Sequence, residues 1–274
     1  MRIKNSTLNI QPIRISDIDS LVKLQPPDWK EDIRQHFNYY YSSVFCDPIK
    51  ITMDDNIVGV GTTLKHRNSA WLAHIIVHPE FRNRGIGKSI TNALLRSLDK
   101  RKYKTVYLIA TELGYPVYLK SGFEPESEYA HFEFESGLNI PVASPFVIPY
   151  EDKYKSEILK LDRDTTGEFR EVILNGCIRS SFVFLVNGKV NGAYFPQLGD
   201  GLIIADDPSA GIELMKFRLQ SESDAAFPVD NKAAYEFCCN IGSIHIKNSK
   251  RMRSGNARIL HPEYLFNRIG GQLG

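Results

Sequence analysis

The stretch Trp71–Ile90 (WLAHIIVHPEFRNRGIGKSI) constrains this chain more than any other. Trp71–Val77 is a run of strand-forming residues, and His78-Pro79 ends it because proline cannot donate to a ladder. A loop with Arg82, Arg84, Gly85 and Gly87 follows. Ile90, Leu94, Leu95 and Leu98 then recur at helical spacing, which predicts one amphipathic helix over Gly87–Arg101. At a helix N-terminus the unpaired N–H groups and the positive dipole end together favour an anion. Gly85 and Gly87 lack Cβ, so an anion can approach the backbone and positive φ angles are available. Arg82, Arg84 and Lys88 add charge, and the chemistry implied is pyrophosphate binding. The bland alternative is a tight strand-to-helix turn with solvated arginines, since a short glycine pattern alone is weak evidence. The strand before and the helix after favour the anion site.

At 274 residues the chain exceeds the usual single-domain size, so two domains are expected. Its composition is that of a globular protein, and 34 Lys plus Arg against 32 Asp plus Glu leave a formal charge of +2. That balance gives no argument for a nucleic-acid or membrane partner. The basic run Lys247–Arg253 reads as a solvated hairpin. The opening residues MRIKNSTLNI lack the apolar stretch of a secretory signal, and no apolar run approaches the ~20 residues that span a bilayer. A cytoplasmic location is the expectation. Cys46, Cys177, Cys238 and Cys239 have no metal-type spacing and read as reduced thiols, the last two as helix-core residues. No metal is expected. Asn5-Ser6-Thr7 fits the glycosylation pattern as a chance match.

Leu8–Ile15 reads as a strand, Ile18–Leu24 as a helix, and Trp29–Tyr41 as a second, aromatic-rich helix. Ile49–Met53 and Ile57–Thr63 form a hairpin across Asp54-Asp55-Asn56. Val106–Ala110 is a short strand, Tyr115–Ser121 a short helix capped by Gly122, and Glu128–Phe134 a final strand. Gly137–Pro145 reads as a linker. Beyond it the order repeats: Val147–Leu161 is similar to Ile10–Leu24, and Tyr235–Gly242 is similar to Tyr118–Phe123. A diverged duplication follows, in which the second copy has lost the stretch where the first carries its glycine loop.

Arg82-x-x-Gly85-x-Gly87 after Val77-His-Pro-Glu-Phe resembles the acetyl-CoA signature of the GNAT acetyltransferase superfamily. Tyr118-Leu-Lys-Ser-Gly-Phe123 resembles that family's second hallmark, and a helix and a strand separate the two as the family requires. The resemblance covers roughly Leu8–Phe134. Looser similarity to the GNAT-like domains that follow an active one covers Pro145–Gly274, through Leu161-Asp-Arg-x-x-x-Gly167-x-x-Arg170, Ile204-Ala-Asp206-Asp207 and Pro228-Val-Asp-Asn231. The fold implied is α/β, with a mixed, mostly antiparallel sheet flanked by helices in each of two domains, 1–138 and 145–274. The second lacks the glycine loop and has Asp206 and Asp207 in its place, which would repel a pyrophosphate. Only the first is expected to bind cofactor.

The resemblance further implies direct attack of an amine on the thioester of acetyl-CoA, in a ternary complex and without an acyl-enzyme. Backbone N–H groups around Ile75, Ile76 and Val77, on a splayed strand, would bond the acetyl oxygen and pantetheine arm. Arg82, Asn83, Arg84, Gly85, Ile86, Gly87 and Lys88 would hold the pyrophosphate. Tyr118 would be the general acid that protonates the departing thiolate, since a phenol is well matched to that group; its bland role is a packed aromatic. The base is unassigned, because Trp71 and Ala73 stand where relatives place Glu or His. Alternation turns His74 away from Ala73 and into a structural hydrogen bond, and His78 is solvent-facing. The acceptor, a small-molecule amine, is expected in a cleft between the halves lined by Trp29, His36, Phe37, Tyr39, Tyr40 and Tyr41 with Asp206 and Asp207. The bland reading makes those aromatics core and those aspartates a helix cap. Two rivals stand beside the enzyme. One is an inactive sensor or scaffold that binds coenzyme A. The other, a nucleotide-triphosphate enzyme, fails because Gly-x-x-x-x-Gly-Lys-Ser/Thr is absent: Arg82 stands where its first glycine belongs.

Overall fold

The computed structural model describes residues 8–26 and 32–273. The chain forms two compact units, Met1–Glu124 with Arg253–Gly255, and Pro125–Met252 with Asn256–Gly274. The strand expected to close the first half therefore belongs, from Pro125 on, to the second unit.

The first unit opens with β1 (Asn9–Pro12) and a 3-10 segment over Ile15–Leu24, followed by α1 (Ile33–Ser42). Next come β2 (Cys46–Met53), β3 (Asn56–Lys65), β4 (Ser69–Val77), α2 (Ile86–Ser97), β5 (Thr105–Ala110) and α3 (Tyr115–Leu119). The sheet runs β1-β2-β3-β4-β5, antiparallel except for the parallel β4–β5 pair. Met53 pairs with Asn56, so the hairpin loop is Asp54-Asp55, and both take positive φ (49° and 61°). A two-residue loop needs that conformation to match the strand twist, and aspartate tolerates it. Gly59 and Gly61 on β3 lie under α2: a Cβ on either would come within 2.9 and 2.7 Å of the Ile90 side chain. Helix and sheet therefore pack closely where those side chains are missing. The helix stops at Ser97 rather than Arg101, because Leu98 turns extended and buries its side chain at the end of the core.

The second unit takes β6 (Glu124–Glu133) almost entire, then β7 (Val147–Pro149), α4 (Lys155–Thr166), α5 (Glu171–Cys177), β8 (Phe182–Val186) and β9 (Lys189–Phe195). It continues with β10 (Leu202–Ala205), α6 (Pro208–Arg218), β11 (Asp224–Pro228), α7 (Lys232–Asn240), β12 (Ile244–Gly255) and β13 (Leu265–Asn267). One sheet runs β13-β10-β9-β8-β7, and β11, β6 and β12 are neighbours in another. Phe132, Phe227, Phe266, Leu214 and Cys238 meet in its core. Lys247–Arg253 is not a hairpin but the middle of β12. Arg251 and Met252, consecutive on that strand, are both buried, and the Arg251 Nε–H pairs with Glu126 at 2.8 Å. Cys238 is buried as expected, whereas Cys239, one residue round the helix, is exposed. Each half thus combines strands with packed helices, the mixed α/β class expected from the sequence. Among the described residues no helix is long and apolar enough to cross a membrane.

Candidate functional site

The site is built on β4. That strand pairs with β5 only at Ser69, Ala70 and Trp71, opposite Thr105, Val106 and Tyr107. From Leu72 onward this ladder stops while β4 stays paired with β3. Opposite β3 the register slips: Ala73 faces Thr62 and Ile76 faces Val60, so His74 and Ile75 share Gly61. This is a β-bulge, and it is where the strand turns away from β5. His74 takes a φ of +48° there, sparsely populated for any residue but glycine.

The bulge sends its two side chains to opposite faces. Ile75 lies with Ile90 and Leu94 of α2 around Gly61. His74 faces α1, where the Tyr40 hydroxyl is 2.6 Å from its Nδ1. The His36 ring lies tilted by 31° at 4.5 Å between centroids, and Phe37 meets the imidazole edge-on. Burial, followed by the neighbouring His36, pushes the His74 pKa down to about 3. His74 is neutral in this setting, a hydrogen-bonding group of the kind that alternation implies.

At the end of β4, Ile76 is buried and Val77 pairs with Gly59. Pro79–Phe81 makes one 3-10 turn, and the Arg82 Nε–H donates to the Val77 carbonyl at 3.3 Å. Asn83 and Gly85 both have positive φ (60° and 80°), which reverses the chain into α2. Gly85 is the N-cap, and the first helical bond is Ser89 N–H to Gly85 carbonyl. The N–H groups of Ile86, Gly87 and Lys88 thus precede any intrahelical acceptor. Ile86, 2% exposed, anchors the turn, while Arg82, Arg84 and Lys88 stand in solvent, Arg84 lying 5.2 Å over the Phe81 ring. A Cβ on Gly85 would meet nothing within 4 Å, so its glycine answers to φ and the space above it is open.

Gly87 ties the loop to α3. A Cβ there would lie 3.7 Å from Val77 and 4.0 Å from Val117, so the end of β4, the first turn of α2 and the α3 helix converge on it. Tyr118 follows Val117 and is buried, its ring edge-to-face with Phe123. Its ring lies against Gly114: a Cβ on that residue would come within 2.7 Å of Tyr118 Cε2. Burial pushes the phenol up to about 12, so it keeps its proton at every working pH.

The other sequence candidates separate. His36, Phe37 and Tyr40 gather around His74, whereas Tyr39 and Tyr41 are exposed. Trp29 lies outside the described residues, as does Asn5-Ser6-Thr7. Asp207 caps α6 by accepting from Ala210 N–H at 3.1 Å, and Asp206 is held by Lys189 and Asn191. The cap reading describes Asp207. The Tyr40–His74 pair and the bulge were not read from sequence; the one signal was the alternating Gly59 and Gly61, which mark close helix packing beside it. Among the described residues no group of three or more His, Cys, Asp and Glu could hold a metal ion.

The features assembled on β4, α2 and α3 have counterparts elsewhere. Residues 45–135 match the family described as Acetyltransferase (GNAT) domain. No curated protein matches the sequence. A "Putative Acetyltransferase" from Pyrococcus horikoshii has a similar structure, with TM-score 0.82, 20% identity, and coverage of 100% of this chain and 98% of that one. A GCN5-related N-acetyltransferase from Sphaerobacter thermophilus gives TM-score 0.64 at 10% identity, over 93% of this chain and 98% of that one. A tandem GNAT protein from the clavulanic acid biosynthesis pathway gives 0.59 at 12%, over 91% and 98%. Such identities speak to fold alone: residues 45–135 match the GNAT acetyltransferase domain family, and the fold of the chain is similar to that of GNAT structures.

Proposed function

We propose that this chain moves an acetyl group from acetyl-CoA to the primary amine of a small molecule, at a single site in its first unit. The observation that carries the reading is the parting of β4 from β5 after Trp71, which ends at the Arg82–Lys88 loop. A gap with one strand's backbone on its flank suits an arm carrying amides, and the loop at its end suits a pyrophosphate. Bound there, acetyl-CoA supplies the activated acetyl group and a thiolate leaving group.

The chain's own residues then have separable tasks. The N–H groups at the start of α2, with Arg82, Arg84 and Lys88, hold the pyrophosphate, and Asn83 and Gly85 shape the turn that presents them. Backbone groups at Ile75–Val77 orient the acetyl end. Tyr118, protonated and seated beside Val117, donates its proton to the leaving sulfur. His74, neutral and engaged with Tyr40, keeps the bulge in place and does not serve as the base.

The test is incubation with acetyl-CoA and a library of primary amines, following thiol release and the mass of any acetylated product. Product with at least one amine is expected. Thiol release at the uncatalysed rate throughout, with acetyl-CoA still bound, would make the chain an inactive coenzyme A-binding protein.

A further inference from the structure

In the second unit a short strand fills the space between two others. There β10 pairs with β9 on one side, as β4 pairs with β3. On the other side β10 pairs with β13, through Ile203 with Asn267 and Ile204 with Leu265. The far side of β13 is joined to β11: the Arg268 N–H donates to the Ala226 carbonyl at 2.8 Å, and the Ala226 N–H donates to Asn267 Oδ1 at 2.8 Å. Three residues, Leu265-Phe266-Asn267, thus lie between two strands of the unit.

Their side chains are recognised individually. Asn267 is 1% exposed; its amide nitrogen also donates to the Asp200 and Gly201 carbonyls, both at 2.8 Å, so its bonding capacity is almost fully used. The Leu265 carbonyl accepts from Asn231 Nδ2 at 3.0 Å. Phe266, fully buried, lies over the first turns of α6: a Cβ on Gly211 would come within 2.3 Å of its ring. In the first unit Gly87, in the first turn of α2, has its nearest neighbours at 3.7 and 4.0 Å. Gly211 thus makes room for an aromatic ring, whereas the space beside Gly87 holds only ordinary contacts. Residues 256 and 257, by contrast, are exposed, and Ile259 is 74% exposed. The connection is also tied to the end of α4, where Arg258 Nη1 donates to the Gly167 carbonyl at 2.9 Å and the His261 N–H to the Thr165 carbonyl at 2.8 Å, and it ends in a built slot.

We propose that the second unit carries a strand-binding groove between β10 and β11, selective for an extended peptide with an aromatic–asparagine pair, which this chain fills in cis with Leu265-Phe266-Asn267. Main-chain pairing gives such a groove its affinity, and the Phe266 and Asn267 pockets give its selectivity. Acyl-CoA is kept out by occupancy as well as by Asp206 and Asp207. This inference does not depend on acetyl-CoA use by the first unit.

The test inserts a site-specific protease site between Asn256 and Ala257 of the full chain and cuts it after folding. The fragment 257–274 should stay with the rest through gel filtration. An excess of synthetic 257–274 peptide should displace it, and the same peptide carrying Asn267→Ala should compete roughly tenfold or more weakly, as befits lost buried hydrogen bonds. Release of the fragment on cutting, or equal competition by the two peptides, overturns the proposal. In the uncut chain, Asn267→Ala should speed hydrogen exchange at the Ala226 amide by roughly tenfold or more, with Tyr194 on β9 unchanged. An unchanged Ala226 amide overturns it as well. Acetyl-CoA enters none of these arms, so a failure of the first unit's proposed activity leaves the outcome readable.

Discussion

The Tyr40 hydroxyl and His74 Nδ1 lie 2.6 Å apart, joining α1 to the bulge of β4 at a residue whose φ is +48°. Either tautomer of a neutral imidazole satisfies that bond; an imidazolium would leave a charge among Phe37, Tyr40 and His36. The pairing therefore ties the bulge to α1, and burial holds His74 neutral.

Stability should report this directly. His74 falls from 6.5 to about 3 on folding, so the unfolded chain binds the extra proton between those values. Its contribution is complete above pH 6.5 and is lost as pH falls from about 6.5 toward 3, at up to ~1.4 kcal/mol per pH unit. His131 is lowered to about 3 as well and titrates in the same window, so the informative quantity is a difference. His74→Asn keeps a residue that tolerates positive φ and removes the titration. Denaturant unfolding at pH 7 and pH 5 should show the wild type losing about 1–2 kcal/mol more than the variant. Equal losses would mean that His74 is not held neutral.

Gly114 gives Tyr118 its seat. Replacing it by alanine sets a methyl 2.7 Å from Tyr118 Cε2, with no positive φ to complicate the result. Overpacking of this kind costs ~1–3 kcal/mol. Thermal unfolding should register that loss, and Gly114→Ala combined with Tyr118→Ala should recover part of it. No recovery in the double variant would place the clash elsewhere.

Tyr118→Phe keeps the ring and removes the proton. Turnover with a responsive amine should fall by roughly a hundredfold, while acetyl-CoA affinity stays within about twofold. Unchanged turnover would remove Tyr118 from the chemistry and leave it a packed aromatic.

In the second unit Asp162 and Arg170 are both buried and paired, with an oxygen–nitrogen distance of 2.5 Å. Asp162→Asn leaves the buried guanidinium without its hydrogen-bonded carboxylate, only the nearby Glu168 remaining, which should cost ~3–5 kcal/mol in urea unfolding. Asp162→Leu with Arg170→Met should cost less than either single change, because neither member of the pair is left without the other.

The first unit was legible where backbone chemistry and pattern agree. The Asp54-Asp55 turn, the helix after Gly85 and the Tyr118–Gly122 end each carry a local signal in their own residues. The bulge at His74 carried no signal in its own residues beyond the neighbouring Gly59 and Gly61, because it depends on a register slip against Gly61 and on a partner, Tyr40, thirty-four residues away. The end of α2 at Leu98 was missed for a similar reason, since core burial overrode continued helical spacing. Lys247–Arg253 misled by charge: Arg251 is buried and paired with Glu126, 125 residues away in sequence, which the basic run does not signal. The groove filled by β13 was wholly invisible, being a contact between segments about sixty residues apart in sequence.

The central claim is that the β4–α2 loop of the first unit is the coenzyme site, and calorimetric titration of acetyl-CoA tests it most directly. Wild-type chain should bind at micromolar strength with one molecule per chain, and an Arg84→Glu plus Gly87→Glu variant that remains folded should show no binding. No binding by the wild type, or equal binding by the variant, would contradict the assignment.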